Sequence, residues 1–319
     1  MIKRILSVLI ILSANTFLFS SAFCQQSQKK VLRTIILDAG HGGSDPGAKG
    51  SFSSEADVSL AVTLKLGEAI GKEFPDTKII YTRTTEMAPG NKTNKDIANR
   101  YRAEMANASG GDLYIAIHCN AAPPIRHSEI IGYKTVTTRR KKRKVTKKVP
   151  QYRYWTTPNP SAGTETYIWA LNKNDAKINS VSKNNEYNDD YGEIDSTSTI
   201  TLPDPSDPAE KARMLIYAQN YFRKSLTFAD IIEKGFQDQG RAYRGGVKQR
   251  NNKGIWVLQA TGMPSVLVEI GFITNKDEEE YINSEKGQNE IVANIIASLK
   301  EYKQKLESKQ ITTQEQKAF

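Results

Sequence analysis

One stretch limits what this chain can become more than any other: Leu37-Asp38-Ala39-Gly40-His41-Gly42-Gly43-Ser44-Asp45-Pro46-Gly47-Ala48. It follows the β-branched apolar run Thr34-Ile35-Ile36-Leu37, which reads as a buried strand ending in a glycine-rich loop. An open α/β sheet presents its functional groups at the carboxyl ends of its strands. The glycines let the backbone turn tightly and leave room beside the His41 imidazole.

Two further residues join His41. Glu55 opens a helical segment, and His118 ends a second apolar run, Leu113-Tyr114-Ile115-Ala116-Ile117. Two histidines and a carboxylate make a catalytic zinc set with a fourth position left for water. Each has an ordinary reading as well. A strand-end histidine is commonly a hydrogen-bonded structural residue, and a glutamate at a helix start serves the helix dipole. The chain has three histidines, two of which end expected strands. By pattern, the metal and structural readings both stand.

The motifs resemble those of the zinc-dependent N-acetylmuramoyl-L-alanine amidases of the AmiC/LytC class. These carry an LDAGHGGxDPGA opening, a helix-opening glutamate, an SIHxNA segment and a late PSVLVExGFxSN segment. The third is Ile117-His118-Cys119-Asn120-Ala121 here, and the fourth runs from Pro264 to Asn275. Arg244 to Lys248, then Gly254 to Gln259, resembles the family's RGVKxxxxxVL approach to the last strand. The resemblance covers residues 33–305, broken by two insertions. It implies His41, Glu55 and His118 as ligands of one zinc ion and Glu269 as the catalytic carboxylate. It places Asn120 and Lys248 on the substrate side.

The residue types suit that chemistry. Zinc with three protein ligands lowers the pKa of a bound water to about 7 and polarises a carbonyl. Glu269 follows the apolar run Val266-Leu267-Val268, so it too is expected at a strand end, where it can take a proton and pass it on. The implied reaction is hydrolysis of the amide between N-acetylmuramic acid and the L-alanine of the stem peptide, in cell-wall remodelling and daughter-cell separation. The competing class is a non-catalytic peptidoglycan-binding envelope protein using the same cleft. The presence of His41, Glu55, His118 and Glu269 together favours the enzyme.

Residues 1–24 read as a secretory signal, with Lys3 and Arg4 before an apolar core from Ile5 to Phe19 and cleavage expected before Gln25. Export leads to the periplasm or cell envelope and disfavours nucleic acid as a partner. Phe23 before Cys24 is a poor fit to a lipidation site. Removal of Cys24 leaves Cys119 without a disulfide partner, and Cys119 reads as a buried small side chain.

Two insertions interrupt the expected 25–307 catalytic domain. The first, about 134–163, begins with nine Lys and Arg between Lys134 and Lys148 and no acids. Removing these nine and the two cations of the signal from a net charge of +10 leaves a body one charge below neutral. The segment reads as a protruding hairpin or loop facing an anionic envelope surface. The second, about 172–208, is polar and lies where some amidases of this class carry a helix that covers the zinc until a partner withdraws it. It holds Glu186 and Glu193, expected as blocking carboxylates that an activator protein would displace.

Strands are expected near 33–37, 77–82, 112–117, 130–136, 165–170 and 265–269. Helices are expected near 55–73, 93–107, 209–237, 276–282 and 287–306. This alternation argues for one α/β domain with a mostly parallel central sheet and helices on both faces. Residues 308–319 read as a polar, disordered tail.

Overall fold

The structure is a computed structural model that describes residues 31–140, 143–170, 207–251 and 254–315. The chain runs β1 (Thr34–Ala39), α1 (Glu55–Glu73), β2 (Lys78–Tyr81), α2 (Lys95–Ala108), β3 (Leu113–Asn120), β4 (Ile125–Arg140) and β5 (Arg143–Thr157). It continues with β6 (Glu165–Ile168), α3 (Pro208–Asp238), β7 (Lys248–Gln249), α4 (Trp256–Ala260), β8 (Ser265–Phe272), α5 (Lys276–Asn283) and α6 (Glu285–Glu315).

Six strands form the central sheet in the order β2-β1-β3-β8-β6-β7. β2, β1, β3 and β8 run parallel, whereas β6 is antiparallel to β8 and pairs parallel with β7. Continuous apolar runs suit strands buried on both faces. Alternation then sorts their side chains into two layers. Ile35, Leu37, Ile115, Ile117, Val266 and Val268 join a core with residues of α1, α3 and α6. Ile36, Tyr114, Ala116 and Leu267 join a second core with residues of α2 and α4. The expected α/β domain is therefore present.

α1 begins where Ser54 accepts a hydrogen bond from the Asp57 amide, and its stripe Val58, Val62, Leu66 and Ile70 is buried. The basic insertion is an antiparallel hairpin of β4 and β5, paired from Ile125↔Thr157 to Arg140↔Arg143. It begins well before residue 134, because the β-branched and aromatic residues flanking the basic run already favour strand. α6 extends the chain's last helix to Glu315. The tail expected to be disordered from 308 is thus helical that far, since nothing between Ser308 and Glu315 breaks a helix. The second insertion, with Glu186 and Glu193, lies outside the described residues. Among the described residues, no helix is long and apolar enough to cross a membrane.

Register sets up the site. Ala39 lies beside Ile117, and His118 lies beside Glu269. The loop after β1, the end of β3 and the end of β8 therefore share one sheet edge. Two buried arginines gather the carbonyls of that loop. Arg102 pairs with Asp38 and donates to the carbonyls of Ala39 and His41. Arg83 donates to Ala39 O (3.0 Å), Gly40 O (2.7 Å) and Ala56 O (2.7 Å). Burial disfavours the Asp38 charge, but Arg102 and the Thr82 hydroxyl outweigh it and hold the carboxyl below its usual range. Arg102→Met leaves Asp38 charged, buried and unpaired, a change that costs about 3–5 kcal/mol. Urea unfolding should read that loss, and Asp38→Asn in the same background should recover part of it. A loss under about 1 kcal/mol would show that the pair does not hold the loop.

Candidate active site

His41 has φ 60°, in the left-handed region that non-glycine residues seldom adopt. The arginine clamp on its carbonyl and those before it over-determines this conformation. Its Nδ1 lies 2.8 Å from Asp45 Oδ2, and the Lys95 ammonium lies 2.9 Å from the same oxygen. With Nδ1 engaged, Nε2 faces Glu55 Oε1 at 3.0 Å.

Glu55 is the first residue of α1 and is buried. Its Oε1 also lies 2.8 Å from His118 Nδ1, and its Oε2 accepts from the Ala48 amide at 2.8 Å. Gly40 makes room for the His118 ring, because a Cβ there would come within 2.5 Å of it. One ligand atom from each of His41, Glu55 and His118 falls within 4.8 Å of the others. Two imidazole nitrogens and a carboxylate oxygen are a zinc donor set. The Asp45 carboxylate on the far nitrogen of His41 is the kind of contact that orients a metal-binding histidine. The residues therefore fit the metal. Burial opposes the Glu55 charge, yet the His118 and His41 imidazoles hold this carboxyl well below the usual range. Burial likewise opposes the His41 charge, and Glu55 and Asp45 raise its pKa despite it.

Glu269 stands on the neighbouring strand and is 6% exposed. Its Oε2 has no hydrogen-bond partner among the described residues, and its Oε1 is 3.9 Å from the Arg250 guanidinium. Burial first, then the Glu55 charge, pushes its pKa up to about 8. A cleft of about 450 Å³ brings together His41, Glu55, His118, Asn120, Arg250 and Glu269.

The two expected substrate residues converge on a third carboxylate. Asn120 Nδ2 donates to Glu165 Oε2 at 2.7 Å, and Lys248 Nζ lies 2.6 Å from Glu165 Oε1. Arg244 and the Tyr167 hydroxyl also donate to Glu165. Burial opposes the Glu165 charge, but Lys248, Arg244 and Tyr167 outweigh it and bring the pKa to about 2. Lys248 is thus tied to Glu165 rather than presented as a free ammonium. Asn120 remains on the cleft wall. Asp45, Glu165 and Arg250 were missed from the sequence. Asp45 lies in the glycine-rich motif, four residues after His41, and that spacing was the available signal. Glu165 and Arg250 carry no local pattern. Cys119 is buried as expected, and burial with the Glu55 and Glu269 charges raises its thiol pKa well above the ordinary value. His127 stacks on Trp155 in the hairpin and is not part of the cluster.

Residues 35–301 match the N-acetylmuramoyl-L-alanine amidase family. The chain belongs to this family. It is 25% identical over 269 residues to N-acetylmuramoyl-L-alanine amidase AmiC of Escherichia coli, covering 84% of this chain and 52% of that protein. It therefore spans about half the length of that relative. It is 23% identical to the germination-specific N-acetylmuramoyl-L-alanine amidase of Bacillus subtilis, covering 85% of this chain and 79% of the relative. The solved CwlD amidase from Clostridioides difficile, in complex with the GerS lipoprotein, has the same fold. The TM-score is 0.51 at 22% identity, covering 85% of this chain and 98% of that one.

Glu269 gives the site a pH signature in the metal-stripped protein. Its folded pKa of about 8 lies above the ordinary 4.5, so folding favours the protonated form. The associated stability is present below about pH 4.5 and is lost as pH rises through about 8. Glu269→Gln keeps the shape and removes the charge. In chelator, its melting temperature should match wild type below about pH 4, exceed it increasingly between about pH 4.5 and 8, and keep a constant lead above that. Parallel melting curves across that range would show that Glu269 is not held in a site hostile to its charge.

Proposed function

We propose that this protein is a zinc-dependent N-acetylmuramoyl-L-alanine amidase that cleaves peptidoglycan in the cell envelope. The bond cut is the amide joining the lactyl group of N-acetylmuramic acid to the L-alanine of the stem peptide. The observation that carries the reading is the His41–Glu55–His118 cluster with buried Glu269 on the adjacent strand. Family membership supports it, and the signal-like residues 1–24 support the location.

His41 through Nε2, His118 through Nδ1 and a Glu55 carboxylate oxygen would hold the metal. Zinc held there supplies a Lewis acid for the carbonyl and brings the pKa of a water ligand toward about 7. The protein's own groups do the rest. Glu269 Oε2, free of hydrogen bonds among the described residues, accepts the proton of the attacking water and returns it to the leaving amine. The Arg250 guanidinium, 3.9 Å from Glu269 Oε1, favours the charged, proton-accepting form against burial. The Arg83 and Arg102 clamps fix the loop carrying His41. Glu165, held by Lys248, anchors Asn120 on the cleft wall. A protein that only bound peptidoglycan would have no use for a buried carboxylate beside a metal donor set with one oxygen left without a hydrogen bond among the described residues.

Elemental analysis should find one zinc per chain in wild type and a large loss in His41→Ala, Glu55→Ala and His118→Ala. Glu269→Gln should keep its zinc while turnover falls by about 10²–10⁴. Full zinc in all three ligand variants would contradict the metal assignment. A fully active Glu269→Gln would contradict the proton-transfer role.

A further inference from the structure

The β4–β5 hairpin is not explained by the chemistry at the sheet edge, although both its roots stand there. β4 follows Asn120 and Ala121, which line the cleft, and the Ala122 amide is bonded to Thr274 just after β8. β5 returns through Asn159, whose side chain donates to Pro123 O, to Glu165 beside Glu269. The hairpin forms its own two-stranded sheet apart from the central one. At about 3.3 Å per residue, its 16-residue strand reaches about 50 Å.

Register assigns its side chains to two faces. On one face, polar and aromatic groups near the root satisfy each other, and Lys134 and Lys147 follow further out. His127 stacks on Trp155, and Arg153 pairs with Glu129 and lies over the Trp155 ring. The other face carries the pairs Arg126–Thr156, Ser128–Tyr154, Ile130–Tyr152 and Tyr133–Pro150, then Thr135–Lys148, Thr137–Thr146 and Arg139–Lys144. Tyr133 is 62% exposed and Tyr154 74%. Beyond Arg126 at the root, this face thus runs from exposed tyrosines to cations at the far end, without an acid.

We propose that this face is a substrate arm for polymeric peptidoglycan. The Tyr133, Tyr152 and Tyr154 rings stack on sugars of the glycan strand, and the distal Lys and Arg side chains pair with carboxylates of the stem peptides. The inference rests on the amidase reading and adds to it how a polymer is held beyond the bond that is cut. Sugars and carboxylates on one strand match aromatics and cations on one ribbon, and the ribbon starts at the cleft that strand must enter.

The test uses the full chain carrying Glu269→Gln, so that bound sacculi stay intact. One variant adds Tyr133→Ser, Tyr152→Ser and Tyr154→Ser. Another adds Arg139→Ser, Lys144→Ser and Lys148→Ser. Co-sedimentation with purified sacculi should weaken by about tenfold or more in each. The salt dependence of binding should weaken in the cation variant and stay unchanged in the tyrosine variant. In the active protein, both sets should lower the rate on sacculi relative to the rate on a soluble disaccharide-peptide. Zinc content equal to wild type shows that the variants are folded. Sacculus binding equal to wild type in both sets would overturn the arm. So would loss of binding confined to anionic phosphatidylglycerol vesicles, which would make it a membrane contact. A wild type that binds sacculi through the arm but cleaves no disaccharide-peptide would instead overturn the amidase reading.

Discussion

Everything at the catalytic edge is arranged around one carboxylate oxygen. Glu55 Oε1 lies between His41 Nε2 and His118 Nδ1, at 3.0 and 2.8 Å, in a place that excludes most solvent. A buried charge in such a place must have partners. The loop after β1 and the end of β3 supply them. The Ser54 cap fixes where α1 starts, and therefore where Glu55 stands. Gly40 clears the volume that His118 occupies, and the two arginines hold His41 in a backbone conformation it would not choose alone. Each of these contacts supports the meeting of the three donor atoms.

The parallel register then separates the carboxylates by role. Glu55 is held ionised by imidazoles, Glu165 is held ionised by Lys248, Arg244 and Tyr167, and Glu269 is left nearly alone. Environments that push the pKa values of neighbouring acids apart are how one site assigns ligand and proton carrier. Glu269 owes its elevated value to burial and to the negative Glu55 nearby, so it is electrostatically linked to the candidate metal set.

The sequence made the framework legible because chemistry-bearing residues sit at ends of apolar runs. His41, His118 and Glu269 each follow several buried aliphatics, and strand alternation leads directly to the sheet edge. What it did not reveal are pairings between residues distant in the chain. Lys248 meets Glu165 across 83 positions, and Arg102 reaches the carbonyl of His41 across 61. No local pattern encodes either contact. The basic run announced a hairpin, but its true length depended on flanking residues that read equally well as part of the core sheet. The helix past Ser308 was missed because its polar composition resembles that of a tail.

The central claim concerns one bond, and the products report it directly. Purified mature protein loaded with zinc is incubated with muropeptides, and the new ends are identified by mass spectrometry. The account predicts a free lactyl carboxylate on N-acetylmuramic acid and a free amino group on L-alanine, with neither formed by the Glu55→Ala protein. Cleavage within the stem peptide or the glycan strand, or intact muropeptides despite full zinc occupancy, would contradict it.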